Sequence, residues 1–197
     1  MDVFDRDSNY QYYIELVNEY TSDYSIEILA YCLMTNHVHF IVIPKTAEGL
    51  GKFFNTVHMR YAHYINRQRK VKGHLWQGRF YSCVLDDAHV YRGIRYVEKN
   101  PVRARMVKKA WDYGWSSARQ HMGLDNQNRI GLSKKCRYLK QEEWKDYLQE
   151  NDADMDDEIR KKTVRGLVVG KDDFVSKLET RIKRSLTYRA WGRPKRN

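Results

Sequence analysis

His37 and His39 stand two residues apart in NHVHFIVIP, a stretch whose β-branched and aromatic side chains favour an extended strand. Alternation along a strand puts both on one face, where two imidazole nitrogens can hold one metal ion. Two ordinary, partly buried histidines would show the same spacing. Tyr96 and Asn100 are four apart in RYVEKN, about one helical turn, so they share a helical face. Each also has a plainer role, Tyr96 as a packed aromatic and Asn100 as a helix cap beside Pro101. Combined with the histidine pair, the spacing lets a tyrosine hydroxyl and an amide oxygen meet one metal.

The elements that must position these four groups follow from periodicity. Residues 8–20 carry Tyr10, Tyr13, Ile14 and Val17 at helical spacing after Asp7 or Ser8 as a cap. Ser25 to Leu33 and His37 to Ile43 read as two strands joined at Thr35-Asn36, with Pro44 ending the second. Leu50 to about Gln68 is amphipathic, with Phe53, Phe54, Val57, Tyr61, Tyr64 and Ile65 on one side. RFYSCVL, residues 79–85, reads as a third strand. Asp86-Asp87 can cap a helix that runs to about Lys99, where Pro101 disfavours helical geometry in the residue before it. The order α-β-β-α-β-α predicts an α+β fold of ferredoxin-like type, an antiparallel sheet with helices packed on it.

Charge points to the partner. The chain has 36 Lys and Arg against 25 Asp and Glu, a net charge of +11. Residues 60–109 concentrate the excess, and Trp76, Phe80, Tyr81, Tyr91 and Tyr96 are interleaved with it. Lys and Arg neutralise phosphates while unpaired bases stack on aromatic rings, so nucleic acid is favoured over a merely solvated face. Arg79, Arg92, Arg95, Arg103 and Trp76 are the candidate contacts in this stretch. Cys32, Cys83 and Cys136 lack CxxC spacing, which signals neither a disulfide framework nor a zinc module. No signal-peptide pattern and no membrane-spanning apolar run is present, so a cytoplasmic protein with no membrane partner is expected.

YCLMTNHVHFIVIP, LWQGRFYSCVL, RYVEKNPVRARMV and WDYGWSS occur in that order. Together they resemble the single-tyrosine HUH transposases, most of all the REP-associated tyrosine transposases, over about residues 1–120. KDDFVSKLETRI and the ending GRPKR are similar to the C-terminal extension of longer members, so residues 121–197 are expected to form an extension with an acidic linker and a basic DNA-binding tail. The resemblance implies that His37 and His39 are the histidine pair, that Asn100 is the third ligand of Mg²⁺ or Mn²⁺, and that Tyr96 is the nucleophile. It also implies a monomer or homodimer acting on single-stranded, hairpin-forming DNA. Attack by Tyr96 on phosphorus would give a 5′-phosphotyrosine and a free 3′-hydroxyl that can later rejoin strands without ATP. No phosphate-cradling GxxxxGK motif is present.

Two departures accompany the resemblance. The family fold opens with a strand beside the histidine-bearing strand, whereas here Met1 stands just ahead of the first helix, so that first strand is expected to be missing. In the tail, Gly192-Arg193-Pro194 with Lys195 and Arg196 resembles minor-groove hooks, with Trp191 where such hooks carry another arginine. A catalytically inactive DNA-binding protein is the alternative reading, and the missing strand is its support. An RNA-binding sheet would need an aromatic RNP motif, and a two-histidine phosphoesterase a second His-x-Ser/Thr motif; the sequence has neither.

Overall fold

Tyr10, Tyr13, Ile14, Val17 and Tyr20 recur at helical spacing, and all are buried on one side of helix α1 (Asp7–Asp23). The computed structural model of the chain describes residues 2–124, 129–136 and 140–186. Ahead of α1 the backbone N–H groups of Val3 and Phe4 both donate to the Thr35 carbonyl, at 2.8 and 2.9 Å. Phe4 stacks on Tyr10 with ring centroids 4.5 Å apart, which fixes the entry of the chain into the core.

Strands β1 (Ile26–Leu33) and β2 (Val38–Pro44) form the expected antiparallel hairpin. Leu33 opposes Val38 and Cys32 opposes His39, with a bulge between Ile28 and Ala30. Nearly every residue of β1 is buried, as a continuous apolar run requires. On β2 the alternation is visible: Val38, Phe40 and Val42 pack against the aromatic core, so His39, Ile41 and Ile43 take the opposite face. The second core helix, α2 (Gly49–Arg69), buries Phe53, Phe54, Val57, Tyr61 and Ile65 on α1 and the hairpin.

Beyond α2 the chain has no regular structure until β3 (Val84–Leu85). The strand expected over 79–85 is thus confined to its last two residues, and it does not join the hairpin. A strand needs an adjacent edge with free backbone groups. In the resembled topology that edge belongs to a first strand, and no described residue supplies one: the hairpin sheet is two-stranded. Val84 and Leu85 instead pair in parallel with Val168 and Val169.

Helix α3 (Val90–Glu98) and the single turn α4 (Asn100–Arg103) follow, separated at Lys99 with Pro101 at the start of the second, where proline's missing N–H costs nothing. A tight segment then leads to α5 (Ala118–His121) and α6 (Gln141–Gln149). The second edge of β1 is closed here: Leu33 N–H donates to Trp115 O at 2.9 Å, Ser117 N–H to Tyr31 O at 3.0 Å, and Ser133 N–H to Ile28 O at 2.8 Å. Last come α7 (Ala153–Arg165), β4 (Val168–Val169) and α8 (Asp172–Ile182).

The chain gathers into two units. One comprises the residues up to Phe80 together with Gly93–Asn151, and holds the hairpin, α1, α2 and α6. The other comprises Tyr81–Arg92 and the described residues from Asp152 onward. In this second unit Asp86 accepts hydrogen bonds from His89 N–H at 2.9 Å and Lys171 N–H at 2.8 Å, which pins the β3–β4 pair at its end. Packing is therefore α+β, a small antiparallel sheet with helices against it.

Candidate active site

The hairpin turn and α3 bring three rings together. His37 and His39 lie edge to face with centroids 4.7 Å apart, and the Tyr96 ring meets His39 edge to face at 6.0 Å. This follows from the alternation on β2: with Phe40 turned to the core, His39 must point to the face that α3 covers. His37 is exposed at the mouth, whereas His39, Tyr96 and Asn100 are half-buried.

Partial loss of water lowers the pKa of both imidazoles, and for the more deeply set His39, opposed further by His37 when that ring is protonated and by Arg103, the value is pushed down to about 3. Both rings are therefore neutral at pH 7 and carry a lone pair. His37 Nδ1 lies 2.6 Å from Asn36 Oδ1. A carbonyl oxygen only accepts, so Nδ1 carries the proton and Nε2 keeps its lone pair. Among the described residues no group of three or more His, Cys, Asp or Glu side chains is gathered to hold a metal. The two imidazoles face one another here, and Asn100, one helical turn beyond Tyr96, directs its Nδ2 to the Tyr96 carbonyl at 3.5 Å.

Arg103 lies over the tyrosine ring. Its guanidinium carbon sits 4.0 Å from the Tyr96 ring centroid and its Nη2 donates to the Tyr96 carbonyl at 2.6 Å. The other sequence candidates fall elsewhere. Arg79 and Arg92 are exposed. Arg95, expected on the DNA surface, is buried, paired with the Glu150 carboxylate and stacked over Tyr147 at 4.6 Å. Trp76, expected to stack on bases, is half-buried against the core, stacked on His58 at 4.2 Å with its indole N–H on the His58 carbonyl at 3.0 Å. Arg193, Lys195 and Arg196 lie outside the described residues, as does Trp191.

Sequence reasoning missed Glu98, which is fully buried. Its carboxylate accepts from Ser117 Oγ at 2.5 Å and Trp144 Nε1 at 3.0 Å, and lies 2.6 Å from His121 Nδ1. A buried carboxylate without donors is strongly unfavourable, so these partners are what permit it to remain there. The available signal was an isolated acid in a basic segment, two residues from Tyr96 and so on another side of the helix. Trp144 gave a matching hint, a tryptophan inside an acidic run.

A cleft of 460 Å³ in the second unit, lined by Asp157, Lys161, Leu167 and Val175 among others, holds none of these groups. Among known proteins, the family described as "Transposase IS200 like" matches residues 1–100, a span that contains His37, His39, Tyr96 and Asn100. No curated protein and no solved structure matches the chain.

Proposed function

The chain belongs to the IS200-like transposase family, and from that premise we propose that it cleaves and rejoins single-stranded, hairpin-forming DNA through Tyr96. Membership makes DNA the partner and transposase-type DNA processing the activity. No helix among the described residues is long and apolar enough to cross a membrane. The observation that carries the finer reading is the 6.0 Å approach of the Tyr96 ring to His39.

Tyr96 Oη attacks the scissile phosphorus, forming an O–P bond as the P–O3′ bond breaks, so the 5′ end of one strand remains on the enzyme and a 3′-hydroxyl departs. The phenolic proton passes to solvent and the 3′-oxygen takes one up. Arg103, stacked on the ring, meets the negative charge that builds on the phosphate oxygens. His37 and His39 suit a divalent cation because their lowered pKa values leave both neutral at pH 7, and Asn100 would add an uncharged amide oxygen. They would hold Mg²⁺ or Mn²⁺, whose chemistry is to polarise a phosphate oxygen and offset charge in the transition state. Asn36 fixes the tautomer of His37 for that role. Rejoining reverses the chemistry when a 3′-hydroxyl attacks the phosphotyrosine, conserving bond energy without a nucleotide cofactor.

The test is a single-stranded hairpin oligonucleotide labelled on its 3′ side and incubated with the protein and Mn²⁺. Labelled protein that survives denaturation, together with a released fragment ending in a 3′-hydroxyl, is expected. No adduct, or an adduct carrying the other fragment, would overturn the proposal.

A further inference from the structure

Every buried polar residue on the back of the nucleophile's helix is tied to one segment, residues 141–151, which lies beyond the family match and reads in sequence as an acidic linker. Glu98 accepts the Trp144 indole N–H at 3.0 Å. Arg95 pairs with the Glu150 carboxylate and stacks on Tyr147. Lys99 donates to the Glu150 carbonyl and, at 2.8 Å, to Asn151 Oδ1. Trp144 is 1% exposed and Glu98 is 0% exposed, so their contact is shielded from water.

Glu98 also reaches the other half of the site. Ser117 Oγ donates to it at 2.5 Å, and the Ser117 backbone N–H donates to Tyr31 O at 3.0 Å on β1. The residue after Tyr31, Cys32, is the register partner of His39. One carboxylate thus joins the helix that carries Tyr96, the strand that braces His39, and α6.

We infer that α6 is a strap that sets the position of Tyr96, and that Glu98 is the positioning residue through which it acts. The inference rests on Tyr96 being the nucleophile. Glu98 touches neither substrate nor metal; it holds the 93–103 backbone at the depth from which the Tyr96 ring meets His39. A shift of about 1 Å at a reacting atom costs on the order of a hundredfold in rate, so loosening the strap falls on turnover and leaves DNA affinity alone.

Two conservative variants test this. Trp144→Phe keeps an aromatic ring beside His121 and removes the indole N–H along with part of the ring volume; Glu98→Gln keeps one acceptor oxygen for Ser117 and His121 but turns an N–H₂ toward the indole. Each is checked for folding by its thermal transition and then measured in two ways. Amide exchange of residues 93–103 is expected to rise about tenfold while β1 and β2 hold. The rate of covalent adduct formation at saturating hairpin DNA is expected to fall about tenfold, with the dissociation constant moving less than about twofold. The double variant should lose less than the product of the singles, because both remove one contact. Folded variants whose exchange over 93–103 matches wild type would overturn the strap, as would losses that appear only in DNA affinity. If the wild-type protein forms no adduct, the nucleophile assignment fails, and the exchange arm alone still decides whether α6 holds the helix.

Discussion

The Tyr96 ring stands edge to face against His39 at 6.0 Å, with the Arg103 guanidinium 4.0 Å from the tyrosine's ring centroid. Two elements far apart in sequence, a β-hairpin and a helix, thus set a phenol, a neutral imidazole and a cation around one small volume. That arrangement suits the handling of a phosphodiester, because attack and charge neutralisation occur at neighbouring atoms.

Truncating either proposed ligand should all but remove the metal-dependent reaction. His37→Ala or His39→Ala is expected to lower cleavage of a single-stranded hairpin about a hundredfold or more at fixed Mn²⁺. Asn36→Ala, which frees the His37 tautomer, should weaken metal affinity about tenfold, seen as a higher Mn²⁺ concentration for half-maximal rate. Equal cleavage by wild-type protein in EDTA and in Mn²⁺ would remove the metal from the account.

Arg103 should contribute in two separable ways. Arg103→Ala is expected to cut the single-turnover rate about tenfold and to lower the slope of log affinity against log salt by about 0.7. Lysine at this position restores the charge but not the planar stack on Tyr96, so the salt slope should recover and the rate should not. Full recovery of both in Arg103→Lys would show that only charge matters.

His58 should make the fold acid-sensitive. Its Nε2 lies 3.0 Å from the Tyr13 hydroxyl, and burial pushes its pKa from 6.5 down to about 4. Between those values the unfolded chain binds the proton and the folded one does not. The stabilising effect of this neutral ring is therefore complete above about pH 6.5 and is lost as the pH falls toward about 4. Denaturant midpoints measured from pH 7 to 4.5 should fall less steeply in His58→Gln, which keeps an acceptor for Tyr13 but does not titrate. Identical slopes would contradict this, leaving His39 and the carboxylates as the source of the acid limb.

The tail can be tested independently of the site. Removing residues 187–197 deletes Arg189, Arg193, Lys195 and Arg196, and DNA affinity should lose roughly 0.7 to 0.9 in salt slope for each phosphate they neutralise. Cleavage of saturating short substrate should survive, because His37, His39 and Tyr96 lie elsewhere. An unchanged salt dependence would make the tail a solvated end.

What the sequence disclosed was local. The face shared by His37 and His39 follows from a period of two in a β-branched run, and the end of the helix that carries Tyr96 follows from Pro101. Non-local pairing was hidden. RFYSCVL has strand composition, yet only Val84 and Leu85 form a strand, because pairing depends on an edge that local composition does not encode. Glu98 meets its donors 19, 23 and 46 residues downstream, at Ser117, His121 and Trp144, so no spacing rule could reveal them. Arg95 and Trp76 have the composition of a DNA surface, but their aliphatic stem and ring also pack well inside, where each found a partner.

The central claim is that the Tyr96 oxygen becomes bonded to DNA, and Tyr96→Phe removes that one atom while keeping the ring against His39 and under Arg103. Wild-type and variant protein would be incubated with the same single-stranded hairpin and Mn²⁺, with adducts counted after denaturation and binding measured in parallel. The account predicts no adduct from Tyr96→Phe, with a dissociation constant within about twofold of wild type, since the phenol adds at most one hydrogen bond to the bound state. An undiminished yield of denaturation-resistant adduct from Tyr96→Phe would contradict it.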